Sequence, residues 1–278
     1  MKIIGILNVT PDSFSDGGNY INIEKAVAHA KQMVADGADI IDVGGESTRP
    51  TNPISFDGES TRVIPAIRLQ RAEPVSIDEE LIRVIPVIKR LKEEINVPIS
   101  IDTYKAEVAY QAVQAGAEII NDVGGAKFDP DMPKVMAESG VKVILMHNRR
   151  ATDFGKYENL GQEIINELRE SVDIVMEAGV SMSNIIVDPG IGFAKTLKQN
   201  HELLKEIERY RYSLPIPFLL GVSKKGTVRE LMEYTGRDML GIGTVAMTCW
   251  AYQKGIEYIR IHDVRENKLA INVMKNLK

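Results

Sequence analysis

Short apolar runs in this sequence end, one after another, in side chains that could bind or polarise a ligand. The end residues are Asn8, the run Gly44–Pro50 with Glu46 and Arg49, Asp102, Asn121-Asp122, Met146-His147, Asp188, Ser223-Lys224-Lys225 and Arg260-x-His262. A carboxylate accepts two parallel N–H bonds, so the aspartates suit the amino-amide edge of a flat, nitrogen-rich heterocycle. Arg49, Arg260 and His262 are donors that suit a pyrophosphate, and the amide oxygen of Asn8 suits Mg²⁺.

No residue pattern in the sequence indicates covalent catalysis. The HExxH and CxxC spacings of zinc sites are absent, and no nucleophilic triad is recognisable. The single cysteine, Cys249, lies in an apolar run beside Trp250, where we expect a buried and unreactive thiol. The inventory therefore favours a transferase that binds and polarises its substrates.

Several of these residues also have a structural interpretation. Asp102 and Asp122 could each cap the helix that follows, and His147 could be a core histidine whose hydrogen bonds are satisfied. Lys224-Lys225, taken alone, could be a solvated turn. Eight strand ends that all carry such groups are nevertheless hard to explain without a ligand, so we expect one catalytic face.

The elements that must position these residues alternate regularly along the chain. We place strands at Ile3–Asn8, Ile40–Gly44, Pro98–Asp102, Glu118–Asp122, Val141–His147, Asn184–Asp188, Pro217–Val222 and Tyr258–His262. Helices are expected between them, for example at Ile23–Asp36, Lys105–Ala115, Gly161–Ala178, Asn200–Tyr210 and Val264–Asn276. Repeated β-then-α units predict a single (β/α)8 barrel domain, residues 1–278, whose strand ends converge on one face. An open doubly wound sheet is the alternative, but no glycine-rich dinucleotide fingerprint follows the first strand.

The composition is that of an ordinary single-domain enzyme. The chain has 278 residues and a net charge of −5, which does not suggest a nucleic-acid partner. No apolar stretch approaches the roughly 18 residues of a membrane span, and the N-terminus lacks the features of a signal peptide. A single cysteine is consistent with a reducing compartment, so we expect a cytoplasmic protein.

One segment departs from the regular alternation. Thr51–Arg71 and Ala72–Lys92 resemble tandem copies, since nine residues of one recur at the matching positions of the other. We expect the downstream copy to be the barrel helix after the second strand, because Ser76 and Glu79 there match a capping box. A barrel has room for one helix at this point, so we expect residues 51–71 to be an inserted excursion beside the catalytic face.

A family resemblance extends over nearly the whole chain. Residues 8–18, NVTPDSFSDGG, and 44–50, GGESTRP, are similar to the first two signatures of the dihydropteroate synthases. Ser100–Thr103, Ile120–Asp122, Met146-His147, Asp188–Phe193 and Arg260–Asp263 resemble later motifs of that family in the same order. The resemblance implies a TIM barrel that joins 6-hydroxymethyl-7,8-dihydropterin pyrophosphate to 4-aminobenzoate in folate biosynthesis. It also implies Mg²⁺, a homodimer and a target of sulfonamides.

The resemblance assigns roles to individual residues of the expected catalytic face. The pterin would be bound by Asp102, Asn121, Met146, Asp188, Gly221 and Lys225. The pyrophosphate would be bound by Asn8, Arg49, Arg260 and His262, with Mg²⁺ at Asn8. The aminobenzoate would contact Thr48, Pro50, Phe193, Ser223 and Lys224. The groups that take part in catalysis would be Asp102, Lys225, Arg260 and His262.

The turn after the seventh strand departs from the family pattern, which reads Ser-Arg-Lys-Ser and then a large apolar residue. Here Lys224 replaces the arginine and loses its planar fork, while Gly226 and Thr227 remove a hydroxyl and bulk. Two alternative functions stay open: a non-catalytic pterin-binding paralogue, and a methyltransferase acting between methyltetrahydrofolate and a corrinoid protein. The methyltransferase would not need Arg260 and His262.

Overall fold

A sheet of eight parallel strands lies at the centre of the structure, a computed structural model that describes residues 1–10, 22–46, 75–233, 236 and 238–277. The strands are β1 (Lys2–Asn8), β2 (Ile40–Gly44), β3 (Ile99–Asp102), β4 (Ile119–Asp122), β5 (Lys142–Met146), β6 (Ile185–Asp188), β7 (Leu219–Leu220) and β8 (Tyr258–Ile261). They pair in the order β6-β5-β4-β3-β2-β1-β8-β7, and a parallel bridge between Val187 and Phe218 joins β6 to β7. The sheet is therefore a barrel, which confirms the predicted (β/α)8 fold over the doubly wound alternative.

Ten helices lie between and after the strands in the described parts of the chain. They are α1 (Ile23–Ala35), α2 (Ile77–Glu94), α3 (Ala106–Ala115), α4 (Met132–Ser139), α5 (Leu160–Ala178), α6 (Leu197–Lys205), α7 (Ile207–Ser213), α8 (Gly226–Leu231), α9 (Leu240–Gln253) and α10 (Val264–Asn276). The helix predicted at Asn200–Tyr210 is instead two. α6 begins earlier because Thr196 and Gln199 form a capping box, and Glu206 separates α6 from α7. None of these helices is both long and apolar enough to cross a membrane.

Alternate residues of each strand build the barrel interior. An apolar floor is formed by Ile4, Ile40, Ile119, Ile144, Ile186 and Leu219, with Tyr258 packed against it. The residues between them, such as Ile3 and Val143, belong to the larger core between strands and helices. Because side chains alternate along a strand, the interior positions continue above this floor as polar residues such as Asp42, Asn121 and Asp188.

Helix α2 occupies the position of the barrel helix between β2 and β3. The hydroxyl of its N-cap residue, Ser76, accepts the N–H of Glu79 at 3.2 Å. The Glu79 carboxylate pairs with Arg83 on the next turn, so the reciprocal bond of the expected capping box is replaced by an ion pair. Pro86 lies inside the helix without ending it. The expected inserted copy, Thr51–Arg71, lies outside the described residues.

The cysteine is less buried than the sequence suggested. Cys249 lies on α9 and is partly exposed. The expectation was wrong because an apolar run need not be a core segment: α9 also presents Ile242 at the surface, where its side chain is 60% exposed. An apolar helix with an exposed apolar face is typical of an interface.

Candidate active site

Most of the predicted ligand-binding residues meet at the carboxyl end of the barrel interior. The strand register places Asp102 of β3 between Gly44 of β2 and Asn121 of β4. Arg260 lies in β8 and His262 directly follows its last residue, so the two side chains are on the same side of the strand. The residues brought together in this way are Asn8, Asp102, Asn121, Met146, Asp188, Gly221, Ser223, Lys225, Arg260 and His262.

A buried ion-pair network is centred on Arg260. Its Nε donates to Oδ2 of Asp42 at 2.6 Å, and its Nη2 donates to Oδ2 of Asp102 at 2.5 Å. The Nδ2 of Asn121 donates to the same Asp42 oxygen at 3.1 Å. Burial lowers the pKa of Arg260, but the two carboxylates outweigh that effect and the pKa lies above its usual value. The guanidinium is therefore charged and held in one orientation.

Asp102 offers one carboxylate oxygen to a ligand. Its Oδ1 is buried and has no hydrogen-bond partner among the described residues, and the same is true of Oδ1 of Asp42. Burial raises the pKa of Asp102 to about 7, while Arg260 opposes the rise and Asp42 adds to it. A buried acceptor without a donor costs roughly 1–3 kcal/mol, which favours a ligand N–H at this point. Asp102 is not the cap of α3, whose N-cap residue is Lys105.

Asp188, Gly221 and Lys225 form a second polar group of the interior. A Cβ on Gly221 would lie 3.3 Å from Oδ2 of Asp188 and 3.9 Å from Nζ of Lys225, so the glycine leaves room beside both. Burial raises the pKa of Asp188, and the positive charge of Lys225 lowers it. Lys225 donates to the carbonyl of Ile191 and lies 4.6 Å from the ring centroid of Phe193. A flat ligand here would meet a carboxylate, an ammonium group and an aromatic ring.

The turn after β7 is bonded to the end of β8. The Oγ of Ser223 accepts the backbone N–H of His262 at 3.1 Å and lies 2.8 Å from its Nδ1. In the neutral imidazole the serine hydroxyl donates to Nδ1, so Nε2–H is the ring's outward donor. Lys224 is exposed, has a φ of +54°, and pairs with Asp263 at 2.7 Å. In this structure Lys224 therefore contacts the edge of the turn.

Two polar strand-end residues face the helices instead of the interior. Asp122 follows Asn121 and so has the opposite parity; it accepts two backbone N–H groups of the next loop at 2.6 and 2.7 Å. Burial raises its pKa to about 6. His147 likewise has the outward parity and is bonded to the side chains of Glu167 and Lys195. The structural interpretation holds for His147, whereas Asp122 is structural in another way than expected: it bonds the loop, and the N-cap of α4 is Asp131.

The candidate magnesium ligand lies at the end of β1. A Cβ on Gly44 would lie 3.8 Å from Oδ1 of Asn8 and 3.6 Å from Oδ2 of Asp102, so both oxygens approach one point. The described residues contain no group of three or more His, Cys, Asp or Glu side chains placed to hold a metal. Mg²⁺ needs few protein ligands when substrate phosphates supply the others, so these hard oxygen donors fit it. Thr48, Arg49 and Pro50 lie outside the described residues.

A match to a known family covers almost all of the chain. The family model described as "Pterin binding enzyme" matches residues 4–78 and 70–262. The dihydropteroate synthase of Bacillus subtilis is 48% identical over 265 residues, which cover 95% of this chain and 84% of that relative. The chain belongs to the dihydropteroate synthase family.

Solved structures of dihydropteroate synthases share the fold over more than nine tenths of their length. One from Clostridium difficile, obtained in the presence of pteroic acid, has a TM-score of 0.86 and 41% identity, and covers 100% of this chain and 96% of its own. One from Xanthomonas albilineans with 4-aminobenzoic acid has a TM-score of 0.85 and 37% identity, with coverages of 99% and 92%. As a dihydropteroate synthase family member, the chain is an alkyl-transferring enzyme of folate biosynthesis.

Two residues that organise this dihydropteroate synthase site were missed in the sequence. Asp42 lies two positions before Gly44 in β2, so alternation along the strand was a sufficient signal for it. Lys195 was missed for a different reason. It meets its partners only after folding, since His147 is 48 residues away along the chain, and nothing in the local sequence indicates that contact.

Proposed function

We propose that this chain condenses 6-hydroxymethyl-7,8-dihydropterin pyrophosphate with 4-aminobenzoate, giving 7,8-dihydropteroate and pyrophosphate. The observation that carries the proposal is one interior site, in a chain of this family, that combines heterocycle-binding and anion-binding groups. These groups are Asp102, Asn121, Asp188, Lys225, Arg260 and His262. The structures of relatives with pteroic acid and with 4-aminobenzoic acid support the same pair of substrates.

The pterin ring would be recognised by the two buried aspartates. Asp188 accepts two N–H groups of the amino-amide edge, and Oδ1 of Asp102 accepts another ring N–H. Lys225 donates to a ring carbonyl or nitrogen from beside Gly221. Asn121, held by Asp42, adds a further polar contact. The Met146 side chain lines the slot and is 5% exposed.

The pyrophosphate would be bound by Arg260 and His262. Both donors are pre-oriented, Arg260 by two carboxylates and His262 by Ser223, so they stabilise the charge that develops on the leaving group without first reorganising. Arg49 is proposed to add a third donor. When bound beside Asn8, Mg²⁺ would supply additional positive charge at the phosphate oxygens.

The aminobenzoate would enter beside Phe193 and the Ser223–Lys225 turn, with Thr48 and Pro50 contributing from the β2–α2 connection. An arylamine is neutral near pH 7 and already nucleophilic, so its attack on the pterin methylene carbon requires no strong base. This agrees with a site in which one oxygen of Asp102 is bonded to Arg260, one oxygen of Asp188 is bonded to the backbone of Gly190, and the pterin is proposed to engage both carboxylates. The amine proton is lost to water or to the departing pyrophosphate.

A pyrophosphate-release assay tests the proposal directly. We expect release only when the pterin pyrophosphate and 4-aminobenzoate are both present, with 7,8-dihydropteroate formed in equal amount. Release that is independent of aminobenzoate, or binding of pterin without release, would contradict it and favour the non-catalytic paralogue. Methyl transfer from methyltetrahydrofolate would instead favour the methyltransferase.

We also propose that the chain forms a homodimer through α9 and α10. These helices pack on each other and expose Ile242, Leu269 and Val273 at 60, 58 and 58%. Apolar side chains grouped on adjacent helices are typical of an interface. Sedimentation should show a dimer that Ile242→Glu with Val273→Glu converts to a monomer.

The expected cytoplasmic location rests on the lone cysteine and stays a prediction.

A further inference from the structure

A buried lysine behind the site holds the loop between β6 and α6. The ammonium group of Lys195, whose residue is 3% exposed, lies 3.1 Å from the carbonyl of Gly190, 3.2 Å from that of Phe193 and 2.9 Å from Nδ1 of His147. An ammonium group has three N–H donors, and three acceptors surround this one. The charged form of Lys195 is therefore fully satisfied.

The imidazole of His147 accepts a hydrogen bond from that ammonium group. Its Nε2 lies 3.1 Å from Glu167 of α5, and the same carboxylate accepts bonds from Nε and Nη2 of Arg149. Burial raises the pKa of Glu167, but bonds from His147 and Arg149 outweigh this and bring it to about 2. An ionised carboxylate only accepts, so Nε2 carries the ring proton and Nδ1 presents a lone pair to Lys195.

Removing the proton from Lys195 must therefore break a bond. A neutral amine has two N–H groups and a lone pair, and the lone pair would face one of the three acceptors. Burial disfavours the charged form and is the main reason that the pKa of Lys195 is lowered to about 7. The negative charge of Asp188 acts to raise this pKa, and the positive charge of Lys225 acts to lower it. The remaining charged groups that face it are Glu167 of α5 and Arg149 after β5. The protonation state is thus poised near neutrality.

The loop that Lys195 holds is the one proposed to contact the substrates. It carries Phe193, and its Ile191 carbonyl accepts a bond from Lys225 on the other side. Gly190 has a φ of +70° and Ala194 a φ of +50°, a conformation that an alanine rarely adopts and that the surrounding bonds must maintain. Two of the three Lys195 bonds go to carbonyls of this loop, those of Gly190 and Phe193, so loss of the proton weakens the contacts that hold it.

We propose that Lys195 is a positioning residue whose buried ammonium group fixes this loop, and that loss of its proton loosens the aminobenzoate side of the site. The inference rests on the proposed function for its substrate, although the hydrogen-bond arrangement stands without it. It makes aminobenzoate binding weaker as the pH rises through about 7, while the pterin, which Lys195 does not contact and which this loop does not hold, is affected less.

Steady-state kinetics of Lys195→Met across neutral pH test the proposal, with Lys198→Met, an exposed lysine of α6, as the matched control. In the parent protein and the control, KM for aminobenzoate should rise with pH. In Lys195→Met it should no longer vary with pH and should lie about tenfold or more above the value that the parent has below neutrality, with pterin affinity within about threefold. A pH dependence that persists in Lys195→Met, or equal losses of both ligands, would overturn the proposal.

Nitrogen NMR of the imidazole rings in the unmodified protein provides a second test that needs neither activity nor a stable variant. His147 should show the Nε2–H tautomer below neutrality, and its Nδ1 signal should shift with a midpoint near pH 7 as Lys195 loses its proton. A ring proton on Nδ1 throughout would refute the arrangement. If the parent protein released no pyrophosphate, the proposed function would fail while this measurement still decided the role of Lys195.

Discussion

At the scale of single residues, the side of a strand decides what a polar group does. Asp188 and Asp122 both end a strand and are both buried, and burial raises the pKa of each. Asp188 lies inside the barrel next to Gly221 and Lys225, where a ligand can reach it. Asp122 faces outwards and stabilises the backbone of the next loop. We therefore expect the same Asp→Asn substitution to have different consequences at these two positions.

Asp188→Asn should weaken binding of the pterin pyrophosphate by about 1–3 kcal/mol, because the amide leaves one ring N–H facing a donor. Asp122→Asn is the matched control: we expect its affinity to be unchanged and its thermal stability to fall, since an amide is a weaker acceptor for two backbone N–H groups. Titration calorimetry and thermal unfolding measure the two quantities. An unaltered pterin affinity in Asp188→Asn would remove that residue from the site.

His262 offers the cleanest test of the pyrophosphate side. His262→Ala should weaken binding of the pterin pyrophosphate, while a pterin without phosphates should bind as before, because the ring is assigned to other residues. Replacing Arg260 is less informative, since it leaves the buried carboxylates of Asp42 and Asp102 without their charge partner. Calorimetry with both ligands distinguishes the cases, and a matched loss of the two affinities would show that His262 contacts the ring.

At the scale of elements, the strands and most helices follow from the sequence because burial and periodicity are local properties. The helix at 200–210 was misjudged because capping by Thr196 outweighed its apolar pattern. Strand β7 is only Leu219–Leu220, shorter than the predicted Pro217–Val222, because only those two residues are in paired register with β8. The interior network around Asp42 could be predicted from alternation, but the contacts of Lys195 could not.

Lys105 shows how one side chain joins several elements. Its Nζ lies 2.7 Å from Glu46 after β2, 2.7 Å from the carbonyl of Val75 before α2, and 2.5 Å from Glu80 within α2. Burial lowers the pKa of Lys105, but the bonds to Glu46 and Glu80 outweigh this and raise it. Glu46 and Val75, at the two ends of the β2–α2 connection, are therefore bonded to the same ammonium group.

Lys105→Met should lower the free energy of unfolding by about 3–5 kcal/mol, because Glu80, which is 1% exposed, loses its charge partner. Lys92→Met is the control, since Lys92 and Glu118 form a pair whose side chains are 52 and 47% exposed and which contributes at most about 1 kcal/mol. Chemical denaturation measures both. Equal, small effects would mean that the bonds of Lys105 do not stabilise the barrel.

At the scale of the whole molecule, the connection from β2 to α2 is the part whose sequence departs from the regular alternation of strands and helices. Residues 47–74 lie between the two points that Lys105 holds, and the expected inserted copy is within them. The family model matches the chain in two stretches that overlap at residues 70–78, and the inserted copy stays a prediction from the sequence. Because Glu46 and Val75 are both bonded to Lys105, we expect the barrel to tolerate a change in the length of chain between them.

Deleting Thr51–Arg71 is therefore expected to leave the barrel folded. The connection shortens from 28 residues to 7 (28 − 21), and closing a loop that is two doublings shorter should raise the free energy of unfolding by about 1 kcal/mol. The extra copy follows Pro50, which is proposed to contact aminobenzoate. Sulfonamides are bulkier analogues of aminobenzoate, so we expect the insert to weaken their binding more than that of the substrate. The deletion should then lower the ratio of the sulfonamide Kd to the aminobenzoate Kd, with pterin affinity unchanged. An unchanged ratio would show that the insert has no role in discrimination, and an unfolded deletion variant would show that the downstream copy alone cannot complete the barrel.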